Sequence, residues 1–250
     1  MLALTIGGQA GAGGPEIGLV VARNAGAKYM RRLAVRRLAK RLGATVEAVS
    51  RKELSFASSC QRFVAAAEVA FLRTGYYGPD PYGSLSPRTW QPTARPRVRT
   101  LPAEIEDDEY IQALHDTTSE LVAQGDVVLV KRAGTLTLRQ SPGVLHIGLF
   151  ASADARTARM AHRLGVGAAD ARDALSALEK ARRAWFRRLG GDDPADPALY
   201  DIVLHSDIDG SDSAVARRAL EVVAEMMPGT RFGFSHLRIT PFTEEHPAMA

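Results

Sequence analysis

The sequence predicts an α/β fold built on a mainly parallel sheet, and three observations predict it. Short apolar runs rich in β-branched residues recur along the chain: LALTI (2–6), DVVLVK (126–131), VLHIGLFA (144–151) and YDIVLH (200–205). Their near-continuous hydrophobicity fits strands covered on both faces, as in parallel sheets. Stretches of helical periodicity separate them, which is the βαβ arrangement. A glycine-rich turn joins the first run to the first helix.

Taken in order, LALTI ends at Gly7 and Gly8 and reads as a buried strand. Pro15 suits a first helical position, where its missing N–H removes no bond, and Ile17, Val20 and Val21 supply an apolar face up to about Gly26. From Tyr29 to Leu42 the apolar residues Met30, Leu33, Leu38 and Leu42 recur among arginines, and a helix is expected there; another is expected over residues 59–73. Residues 74–104 are rich in Pro and Gly, with Tyr76, Tyr77, Tyr82 and Trp90 interspersed, and are too long for a routine connection. They read as an insert or lid within a single domain spanning 1–250. Glu106 to Ala123 reads as a helix whose acidic first turn complements the macrodipole. A charged helical stretch over 153–190, broken at Gly165–Gly167, lies between the last two strand runs and is the candidate lid region. Ser211 is placed to cap a last helix ending near Met226, and residues 231–239 carry weak strand character.

Composition narrows the function classes. In 250 residues, 46% hydrophobic and 24% charged, there is one cysteine, Cys60. That excludes an internal disulfide framework and a Cys-cluster zinc site, and fits a reducing, cytoplasmic setting. No apolar run approaches the ~20 residues that span a bilayer, so no membrane partner is expected. The six histidines show no metal-ligand spacing and no Gly-x-Ser-x-Gly elbow is present, so neither a protein metal site nor a hydrolase triad is expected. Net charge is +4, and Arg31, Arg32, Arg36, Arg37, Lys40 and Arg41 crowd one stretch. That cluster reads as a solvated helix face, with a nucleic-acid surface as the alternative.

Gly8-Gln9-Ala10-Gly11-Ala12-Gly13-Gly14-Pro15 has the spacing of Gly-x-x-x-x-Gly-Lys-[Ser/Thr], with Gly14 where lysine belongs and no hydroxyl after it for magnesium, Pro15 and Glu16 following. Glycines let consecutive amides curl around a phosphate, and the helix that follows adds partial positive charge. The competing reading is a turn that only packs helix on sheet.

With its other segments added, the chain resembles the cytidylate kinase-like family of P-loop proteins. The family's Gly-Ser-Gly-Gly-x-x-Ile is matched by Gly11-Ala12-Gly13-Gly14-Pro15-Glu16-Ile17, and its missing lysine is a family trait. Its Tyr-Asp stretch corresponds to Tyr29-Met30, and its Val-Ile-Val-Gly-Arg-Gly-Ala strand end to Val128-Leu129-Val130-Lys131-Arg132-Ala133-Gly134. Its Arg-x-x-Arg-Met pattern is met by Arg156 to Met160, its lid helix by Arg182-Arg183-Ala184-Trp185, and Asp-Pro-x-Leu-Tyr-Asp-x-Val-Leu by Asp196 to Leu204. The chain departs from the family at Gly8 (usually Arg), Ala12 (Ser), Met30 (Asp) and Lys131 (Gly).

The resemblance implies a P-loop NTPase three-layer αβα fold of the nucleoside-monophosphate-kinase type. It implies ATP with magnesium on the glycine loop, formed by Gly8, Gly11, Ala12, Gly13, Gly14 and Glu16 with Lys131, and a nucleotide or small-molecule acceptor under the insert. Phosphoryl transfer is mainly positioning and charge neutralisation, for which guanidinium forks are suited. The implied catalytic arginines are Arg132, Arg156, Arg182 and Arg183, with Arg187 and Arg188 behind them; a solvated charged face is the alternative for the lid group. A homodimer is left open. A family member that binds nucleotide or a partner without turnover is the alternative function, and a basic nucleic-acid-binding protein the third.

Overall fold

The computed structural model describes residues 1–30, 33–55, 98–130, 134–191, 193–208 and 211–226. The helix expected over 59–73, most of the insert, the strand character of 231–239, and the candidates Lys131 and Arg132 lie outside these residues.

Among the described residues, five strands form one sheet: β1 (Ala3–Gly8), β2 (Lys28–Met30), β3 (Val127–Val130), β4 (Val144–Phe150) and β5 (Ile202–His205). Their order is β2-β3-β1-β4-β5, and every pair is parallel, with Ala3 level with Val127 on one side and Val144 on the other. The central strand is therefore the first of the five in chain order, and the connections leave it in both directions. That topology opens a crevice beyond its carboxyl end, where α/β sheets bind ligands.

Alternation along the strands divides the core in two. Leu2, Leu4, Ile6, Val128, Val130, Ile147 and Leu149 face helices α1 (Gly14–Ala25) and α8 (Asp212–Met226), packing on Ile17, Val21, Val215, Leu220 and Val223. On the opposite face Ala3, Val127, Leu129 and Val144 pack on Leu121 and Val122 of α4 (Asp107–Ala123), and on Leu138 just past the short helix α5 (Gly134–Thr137). The result is three layers. Each fully buried aliphatic side chain contributes about 1.5–3 kcal/mol relative to exposure, which is why both strand faces are apolar. Between Thr5 and His146 the second face carries a buried polar contact, Oγ1 to Nδ1 at 2.6 Å.

Helix ends follow their local signals. Pro15 lies in the first turn of α1, and Gly26 closes it in the left-handed region at φ 64°. Ser152 caps α6 (Ala153–Leu164) by accepting from the Ala155 amide, and Ser211 Oγ accepts from the Ala214 amide at 3.3 Å to start α8. The expected break at Gly165–Gly167 separates α6 from α7 (Ala168–Arg188).

One expectation is corrected. The helix expected from Tyr29 starts only at α2 (Leu33–Arg41), because Lys28–Met30 instead extends the sheet beside β3. Met30 is 4% exposed and joins the core with Leu129 and Leu121, a tertiary contact that local periodicity does not encode. Helix α3 (Val46–Ser55) was not anticipated either. Helices α2, α3 and α4 share a cluster of Leu38, Leu42, Val49, Tyr110 and Leu114, against which Trp185 of α7 packs. Its ring meets Tyr110 edge to face at 5.3 Å and 73°.

Two cations of the basic cluster tie α2 to α4 at the surface. Arg41 pairs with Asp116 and Glu120 of α4, and Arg37 bonds Gln124. At the near end of the insert, Arg99 bridges to Ala44, its amide donating to the Gly43 carbonyl at 2.9 Å. Among the described residues no helix is long and apolar enough to cross a membrane.

Candidate functional site

The loop after β1 is bent by glycines whose conformations L side chains rarely adopt: Gly8, Gly11 and Gly13 have φ of 96°, 79° and 84°. Positive φ at alternate positions 11 and 13 curls the chain so that its amides face one side. Among the described residues, no backbone carbonyl accepts from the amides of Gly11 or Gly13. Gly13 is also the N-cap of α1, so the partial positive charge of the helix end is directed at the same concavity.

The base of the loop is pinned from two sides. Gln9 donates its amide to the Leu149 carbonyl at 2.8 Å, and its side-chain oxygen accepts from the Ala151 amide at 3.0 Å. Gly8 donates its amide to the Tyr200 hydroxyl at 2.8 Å. A Cβ at Gly8 would lie 2.1 Å from the Leu149 carbonyl oxygen, so the arginine that the family pattern carries has no room here. Ala12, in place of the family serine, is fully buried in the main core.

Helix α6 presents three arginines to the loop. Arg156 donates from Nη1 to the Ala10 carbonyl at 3.3 Å and from Nε to the Ala151 carbonyl at 3.1 Å, and it pairs with Glu179 of α7. Arg159 donates to the Gly11 carbonyl at 3.1 Å and to Ser206 Oγ at 3.2 Å, and pairs with Asp212 at 3.2 Å. By binding the Ala10 and Gly11 carbonyls, these two tie the loop to α6. Arg163, with its side chain 8% exposed, pairs with Glu16 at 2.6 Å. Burial raises the Asp212 carboxyl above its ordinary value and nearby Glu16 adds to this, while Arg159 opposes both.

A small crevice, open to solvent, lies over the loop and is lined by Gly11, Gly13, Gly14, Pro15, Arg163 and Arg182. Arg182 reaches it from α7, far along the chain. Of the residues singled out from sequence, the structure thus gathers the glycine loop, Glu16, Arg156 and Arg182 at one place. Arg183 instead bonds Asp193, Nε to Oδ2 at 3.2 Å, and Arg187 and Arg188 are exposed, with Arg188 paired to Asp107. Arg163 was missed from sequence, although its spacing from Arg156 and Arg159 (i, i+3, i+7) puts all three on one helical face.

Tyr200, within the Asp196–Leu204 motif, is packed against the base of the loop. Its ring lies where a Cβ at Gly7 or Gly148 would come within 2.8 and 2.6 Å of it, so two strand glycines form its slot. The hydroxyl donates to the Pro194 carbonyl at 2.6 Å while accepting from Gly8. Burial pushes the phenol up, against the Gly8 amide and Arg182, so it keeps its proton for that donation.

The loop fits a phosphate: amides, a helix end and guanidinium groups converge on it. It carries no hydroxyl or carboxylate set for a cation. Among the described residues no group of three or more His, Cys, Asp or Glu could hold a metal ion.

Comparison with known proteins adds the family and the fold. Residues 3–208 match the model of the cytidylate kinase-like family. A cytidylate kinase from Methanopyrus kandleri is 34% identical over 93 residues, an alignment covering 34% of this chain and 48% of that enzyme. The chain thus spans about half the length of that curated relative. In structure, an uncharacterized protein from Eubacterium ventriosum superposes with a TM-score of 0.57 at 14% identity, covering 90% of this chain and 98% of its own. That likeness concerns the fold.

Proposed function

Because the chain belongs to the cytidylate kinase-like family, we propose that it transfers a phosphoryl group from ATP to a nucleoside monophosphate or a related small acceptor. The observation that carries this reading is the amide-lined concavity after β1 with Arg163 and Arg182 brought to its rim from separate helices. A triphosphate held there meets the end of α1, and two guanidinium groups supply the positive charge that the absent lysine does not. Gly11, Gly13 and Gly14 give the amides. Arg182 contacts the phosphoryl oxygens, and Arg163 moves between Glu16 and the phosphates. Arg156 serves through its grip on the Ala10 carbonyl, and Arg183 through Asp193. Lys131 and Arg132, next in the sequence after β3, complete the proposed set. Magnesium arrives on the nucleotide, held by its phosphates, and screens their charge. The acceptor binds on the side of α2 and α3.

The experiment is direct. The protein is incubated with ATP, magnesium and each of the common nucleoside monophosphates, and ADP formation is followed beside calorimetric titration with ATP. Acceptor-dependent ADP formation supports the proposal. Binding without turnover for any acceptor favours the nucleotide-binding alternative, for which the departures at Ala12 and Met30 argue: one is sealed in the core and the other is part of the sheet. Absence of binding removes both.

A further inference from the structure

The first amide of the glycine loop is not free to meet a ligand; it is held by a side chain from 192 residues further along the chain. Tyr200 follows a short 3-10 turn (Pro197–Leu199) and comes just before β5, and its ring crosses the sheet over Gly7 of β1 and Gly148 of β4. Both glycines are required there, since a methyl group at either would collide with the ring. Two of the sheet's most central positions thus lack side chains so that one phenol can reach the base of the loop. Its hydroxyl accepts from the Gly8 amide at 2.8 Å and donates to the Pro194 carbonyl at 2.6 Å. Pro194 adjoins Asp193, which Arg183 of α7 holds at 3.2 Å.

We propose that Tyr200 is a positioning residue for phosphate binding: its hydroxyl fixes the first amide of the glycine loop and ties the loop to the segment that follows α7. A packing role would need the ring alone, and phenylalanine would fill the same slot. The hydroxyl does something different. It fixes Gly8 at its positive φ, and with it the direction in which the next turn leaves β1. This inference rests on the loop being a phosphate site.

The test is Tyr200→Phe, which keeps the ring and removes the hydroxyl's bonds to Gly8 and Pro194, along with its side-chain contact to Thr135. Three readouts are compared with the wild type: the thermal midpoint, hydrogen exchange of the Gly8 amide without nucleotide, and the ATP dissociation constant from calorimetry. A slow Gly8 amide in the wild type is expected to become fast in the variant. ATP affinity is expected to fall about fivefold or more, since a buried amide loses its bond to the Tyr200 hydroxyl. In turnover, KM for ATP rises while KM for the acceptor stays the same, a split that general loosening of the fold would not produce. A Gly8 amide that exchanges quickly in the wild type overturns the proposal. So does a variant that binds ATP as tightly as the wild type. If the wild type itself binds no ATP, the phosphate reading fails first and this inference falls with it.

Discussion

Replacing Gly13 by alanine isolates the geometry on which the site depends, and Gly14→Ala is its control. At Gly13 φ is +84°, where an L residue costs about 1–2 kcal/mol. Its new Cβ would sit 3.1 Å from Ile17 Cδ1 and 3.2 Å from Arg159 Cζ. Both neighbours are ends of flexible side chains, so backbone strain dominates and the steric part is small. Part of that strain is offset in folding, because alanine also narrows the unfolded ensemble by about 0.4–1 kcal/mol. The net destabilisation is about 1 kcal/mol, or about 2–4 °C for a chain of this size. Binding has no such offset. If the loop escapes the strain by leaving the left-handed region, its amides turn away, and ATP affinity falls about 5- to 30-fold. At Gly14 there is no positive φ, and the nearest atom to a new Cβ is Ile6 Cγ2 at 3.9 Å. Alanine fits there at the first residue of α1, and affinity should stay within about twofold. Calorimetry with ATP and thermal melts of both variants decide the matter. Equal affinities for the two variants, or equal losses, would refute the concavity as the binding element.

The remaining predictions concern charge. Arg182→Met keeps an unbranched side chain of similar reach in the crevice but removes a charge-assisted contact of about 1.5–3 kcal/mol, so ATP affinity should drop about 10- to 100-fold with the melting temperature little changed; an unchanged dissociation constant would take Arg182 out of the site. His146 is buried against Thr5, and burial holds its imidazole below the ordinary value, with Arg139 acting the same way and Asp201 opposing. The unfolded chain therefore binds the proton more readily. Stability should be full above the ordinary histidine range near 6.5 and decline as pH falls through it. Urea melts between pH 8 and pH 5 should show that decline, and His146→Gln should flatten it; an identical slope in the variant would contradict the assignment.

Much of this architecture could be read from the chain directly. Apolar runs at 2–6, 126–131, 144–151 and 200–205 mark four of the five strands, because a strand buried on both faces must be hydrophobic throughout. The glycine loop and Pro15 mark the start of α1, and Ser211 the start of α8, because turns and caps depend on a few adjacent residues. The second strand was not legible. Three residues, Lys28–Met30, carry too little pattern to oppose the helical periodicity that follows, and only the open edge of β3 selects their conformation.

By itself, then, the sequence determined the layers of the fold, the place of the loop and the face of α6 that carries its arginines, since periodicity and backbone chemistry are local properties. Tertiary packing decided what those arginines do. Arg156 and Arg159 grip loop carbonyls, Arg163 takes Glu16, Arg182 comes to the rim, and Tyr200 reaches Gly8, across separations of 148 residues for Arg159 and Gly11 and 192 for Tyr200 and Gly8. Such pairings depend on which elements the sheet order brings side by side, and a hydrogen bond has no signature along the chain until both of its partners are placed.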